Sequence, residues 1–104
     1  MEGEKWLLAF RYDDMKTAGE AYELCRDLVF GLDIDASAYR IQLNTVPHVV
    51  IIGEGPLLPP MRDMFERACA QGKAVELPQA IVTALFERRT AGKIPGAFWE
   101  RRSQ

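Results

Sequence analysis

Two cysteines and a single histidine are the only thiols and imidazole that these 104 residues offer. They cannot complete a tetrahedral zinc site without carboxylate ligands, so no metal or other cofactor is expected. Eight glycines and six prolines are too few for a low-complexity or collagenous chain. Charge of one sign is also lacking: 13 Lys and Arg against 15 Asp and Glu leave a net charge of −2 and an isoelectric point near 5.4. That balance lacks the basic footprint of a nucleic-acid binder. No apolar run approaches the roughly 20 residues of a membrane helix. The opening Met-Glu-Gly-Glu-Lys-Trp is acidic where a secretory signal is basic and then apolar. What is left is the expectation of a soluble, cytoplasmic chain with one core, for which 48% apolar residues suffice.

Alternation and helical spacing divide the chain into elements. Trp6, Leu8, Phe10 and Tyr12 alternate with Leu7, Ala9 and Arg11, which predicts a strand over 5–12. Asp13 and Asp14 break it. Thr17 and Glu20 fit a capping box for a helix whose buried face is Ala18, Ala21, Tyr22, Cys25, Leu28 and Val29, with Gly31 as its stop. A second strand over 38–45 puts Tyr39, Ile41 and Leu43 on one side and Arg40, Gln42 and Asn44 on the other. Val46-Pro47 reads as a turn, and 48–52 as a central strand, apolar at four consecutive positions. Gly53-Glu54-Gly55-Pro56 follows, then Pro59-Pro60 opens a helix with Met61, Met64, Phe65, Ala68 and Cys69 on one stripe. Residues 73–77 suit a short fourth strand. Both cysteines lie on the apolar stripes and read as core packing.

The order β-α-β-β-α-β predicts an α+β fold, a ferredoxin-like sandwich with a four-stranded antiparallel sheet in the order 4-1-3-2. Residues 1–78 make this core. Residues 79–104 add a third helix over 79–91, with Ala80, Ile81, Ala84 and Leu85 on its apolar side, and a basic, aromatic tail. The first 80 residues carry a net charge of −5 and the remainder +3. The topology sets Asp13, Asp14 and His48 at one end of the sheet and Asp33, Asp35 and Glu54 at the other, about 20 Å apart for a helix of about 13 residues. The acidic end and the basic C-terminal segment predict electrostatic docking within one chain or between two. Ile94, Phe98 and Trp99 are costly to leave in water and are the expected interface residues, with the sheet face bearing Leu7 and Ala9 as their receptor.

Three function classes follow. A non-catalytic interaction or homo-oligomerisation module, most simply a dimer, uses the tail and the open sheet face. A small-ligand-binding domain or enzyme would use His48 as acid or base, Asp13 or Asp14 to orient it, and Arg11 or Arg40 for an anionic group. Nucleic-acid binding through Arg88, Arg89, Lys93, Arg101 and Arg102 is the third. It is disfavoured, because the 48–52 strand has none of the aromatics on which RNA-recognition sheets stack bases. The Gly53–Pro56 loop is not a phosphate cradle: it lacks a third glycine and a Lys-Ser/Thr pair.

Overall fold

The computed structural model describes residues 4–92. Its elements are β1 (Lys5–Arg11), α1 (Met15–Leu32), β2 (Ala36–Leu43), β3 (Val46–Glu54), α2 (Pro59–Ala68), β4 (Lys73–Ala74) and α3 (Gln79–Gly92). The four strands form one open antiparallel sheet in the order β2-β3-β1-β4, the expected 4-1-3-2 read from the other edge. The described residues thus form an α+β fold with three helices.

Parity assigns each side chain to a layer. Leu8, Phe10 and Tyr12 of the first strand region meet Val49 and Ile51 under α1 and α2. There Ala18, Ala21, Cys25, Phe65 and Cys69 complete the principal core. The opposite face, with Ala9, Val50 and Ile52 at its centre, is covered by α3 through Leu85, with Ile81 and Phe86 beside it. The 49–52 run is fully buried because it serves both layers.

Several local expectations are corrected. The N-cap of α1 is Asp14, not Thr17: the Thr17 N–H donates to Asp14 Oδ2 at 3.3 Å, and Thr17 Oγ1 donates to the same oxygen at 3.1 Å. A carboxylate can cap the helix and face its positive end, so it outcompetes a hydroxyl placed three residues later. The helix runs past Gly31 to Leu32 and ends at Asp33, which is left-handed (φ 55°). The β2–β3 turn is Asn44-Thr45, not Val46-Pro47. Both residues have positive φ (53° and 65°), the type I′ geometry that matches strand twist. Pro47 therefore sits inside β3. It accepts from the Tyr12 N–H at 2.9 Å but has no N–H to return, and the β1–β3 ladder ends there. The fourth strand is only two residues long, with Val75 N–H donating to Ala9 O at 3.0 Å beyond it.

The buried stripe of α3 is also shifted. Ala80 and Ala84 are exposed, and the inward positions are Ile81, Leu85 and Arg89, an i, i+4, i+8 row. Arg89 is buried to 5% of its side chain. It pairs with Asp35 and donates from Nε to Ser37 Oγ at 3.1 Å. The pair ties the C-terminal half of α3 to the acidic end of the sheet, where Asp35 O also accepts from the Glu54 N–H. Of the basic residues beyond position 80, Arg89 thus meets the acidic end of the sheet within one molecule.

Candidate functional site

Two concave surfaces lie on opposite sides of the sheet. The first is at the end of β1 and the start of β3, where Arg11 and His48 are register partners. Odd positions of β1 and even positions of β3 face α3, so both side chains line a groove of about 540 Å³. Leu43 and Val46 form one wall. Leu77, on the approach to α3, and Ile81, in its first turn, form the other, with Glu76 also lining the groove. His48 is 7% exposed, and its Nδ1 lies 2.9 Å from Val46 O. A carbonyl only accepts, so Nδ1 carries the proton and donates.

The sequence-predicted residues divide between the two faces. His48 and Arg11 come together. Asp14 is occupied capping α1 on the other side of the sheet, and neither it nor the exposed Asp13 is part of the groove lining. Arg40 faces α1, its guanidinium 5.5 Å from the Tyr22 ring centroid and near Gly19. Glu76 and the Leu77–Ile81 wall escape sequence reasoning, because no periodicity links them to His48. The type I′ turn that fixes this end of the groove has a signal in Asn44, a residue tolerant of positive φ.

The second surface is the seam between α1 and α2, a groove of about 570 Å³. Leu24, Leu28 and Leu32 of α1 face Met64 and Ala68 of α2 across an almost wholly apolar lining, with Asp27 and Arg67 as its charged members. Leu24 is 54% exposed and Met64 39%. Nothing among the described residues covers them.

Cys25 and Cys69 meet in the principal core, Sγ to Sγ at 3.4 Å. Both thiols are sealed from solvent. The hydrogen bond to Cys69 and then burial push the Cys25 thiol well above its ordinary value; the same bond holds Cys69 below its own. Reactive thiols need access as well as a low pKa, and these have none. Ile94, Phe98 and Trp99, with Lys93, Arg101 and Arg102, lie outside the described residues. The chain matches no protein-family model, no curated protein and no solved structure.

Proposed function

We propose that the chain is a non-catalytic interaction module that pairs with a second copy of itself through the α1–α2 face. Its element order resembles that of a ferredoxin-like domain with α3 added, and by fold-level analogy such domains often pair through the open sheet face. Here α3 fills that face in cis, leaving the α1–α2 seam as the apolar surface for a partner.

The observation that carries the proposal is this seam, with Leu24 and Met64 half-exposed over an apolar floor. Its two charged lining residues are of opposite sign. A two-fold axis that set Asp27 of one copy towards Arg67 of the other, which Asp63 of its own helix also holds at 2.8 Å, would make the face self-complementary. A net charge of −2 adds little repulsion between copies. Two unbridged, buried cysteines suit a reducing interior, which supports a cytoplasmic location.

Nucleic-acid binding is the weaker reading. Arg89 is consumed by its buried pair, and Arg88 lies 5.7 Å from the Tyr39 ring centroid. The sheet face on which RNA bases would stack lies under α3. Light scattering on the full chain and on Leu24→Glu tests the pairing.

A further inference from the structure

We infer that the groove between the β1–β3 edge and the start of α3 is a binding site for a small hydroxycarboxylic acid with an apolar body. The site lies across the sheet from the proposed pairing face and does not depend on it.

A volume of about 540 Å³ is within the range of small-molecule sites, roughly 300–1,000 Å³. Its chemistry is set by two side chains. Arg11 is exposed, stands on the groove and has no ion pair among the described residues. A guanidinium keeps its charge and offers a planar fork to a carboxylate.

His48 supplies the second element. Nδ1 donates to Val46 O, so in the neutral ring the proton sits there and Nε2 is the acceptor. Nε2 has no partner among the described residues, and His48, 7% exposed as a residue, lines the groove. That nitrogen is an acceptor open to the groove, so a ligand that donates a hydrogen bond fits it. A carboxylate cannot donate; an adjacent hydroxyl can.

Glu76, also on the lining, disfavours a doubly charged head such as a phosphate dianion. Leu77 and Ile81 suit an aliphatic or aromatic body. The ligand is therefore held by a carboxylate on Arg11, a hydroxyl donating to His48 Nε2, and an apolar group against α3.

Mandelate carries all three groups; phenylacetate lacks the hydroxyl and mandelamide lacks the charge. Backbone amide NMR titrations of the full chain with each probe test the assignment. Mandelate is expected to give saturable shifts at Arg11, His48, Leu77 and Ile81, with phenylacetate and mandelamide each at least about fivefold weaker. Arg11→Gln, an exposed change that leaves the core intact, is expected to weaken mandelate about tenfold. Loss of one charged hydrogen-bonding group has that magnitude. His48→Gln supports the result if it folds, by reducing the difference between mandelate and phenylacetate. Absence of saturable shifts, equal binding of phenylacetate, an unaffected Arg11→Gln, or shifts confined to the α1–α2 seam would each overturn the site. Inorganic phosphate moving the same amides as strongly as mandelate would overturn the ligand class.

Discussion

Arg89 shows how one side chain can anchor an added element. An arginine at 5% exposure is tolerable only when its charge is matched, and Asp35 and Ser37 supply the match. Removing one partner of such a pair destabilises more than replacing the cation by an apolar side chain of similar length. Asp35→Ala should therefore cost about 2 kcal/mol in urea unfolding, less than for a fully buried pair because Asp35 is half-exposed. Arg89→Met should cost about 1 kcal/mol or less. The reverse order would mean that the pair does not secure α3.

Tyr12 makes a second residue-scale prediction. Burial first, and then the neighbouring Cys69, raise its phenol above the ordinary value of 10.0. A group whose folded-state pKa is raised contributes stability that is fully present below its unfolded value and is lost as the pH climbs past it. The urea midpoint should fall between about pH 9 and about pH 11, and Tyr12→Phe should make that fall shallower. An identical slope in the variant would show that other groups dominate alkaline unfolding. His48 and Arg11 were visible in the sequence as chemistry-bearing residues on neighbouring strands. Their separation from Asp14 was not, because it depends on which face of the sheet a loop aspartate turns to. Asp14 turns to the start of α1, where backbone N–H groups need an acceptor.

Among the elements, α1 depends on that cap. Asp14→Ala should destabilise the protein by about 1 kcal/mol, and Thr17→Ala by distinctly less, measured as thermal or urea midpoints. Equal effects would return the capping role to Thr17. The helices and central strands are legible in the sequence because alternation and i, i+4 rows are strong over their length. The β2–β3 turn is not, since Asn44-Thr45 lacks the usual Asn-Gly signature and Pro47 draws the eye as a breaker. β4 is only two residues long, and beyond the Val75 N–H bond to Ala9 O the chain goes on to line the His48 groove. The inward face of α3 is only partly legible: Ile81 and Leu85 fit an apolar pattern, but Arg89, the third member of the buried row, counts as polar in it.

At the scale of the whole molecule, α3 turns a two-layer sandwich into a three-layer one. The sheet is buried on both faces by its own chain. That changes where a partner can bind: the sheet face expected to receive the tail is already occupied by α3, and the α1–α2 seam is an apolar groove left uncovered among the described residues. Element order foretold the strand order, and charge polarity is met in one described pair, Arg89 with Asp35. They could not foretell the seam, because Leu24 and Met64 belong to the same apolar stripes as the core residues beside them. Only the packing angle of the helices decides which of these are left uncovered.

The central claim is tested most directly by the solution mass from light scattering across micromolar concentrations, for the full chain, for Leu24→Glu and for a chain ending at Gly92. Pairing through the α1–α2 face predicts about twice the 11.8 kDa chain mass for the full chain. It predicts the single-chain mass for Leu24→Glu and a retained dimer on truncation. A single-chain mass for the full protein would contradict the account. So would a dimer that survives Leu24→Glu but is lost without Ile94, Phe98 and Trp99, because the tail and not the seam would then hold the copies together.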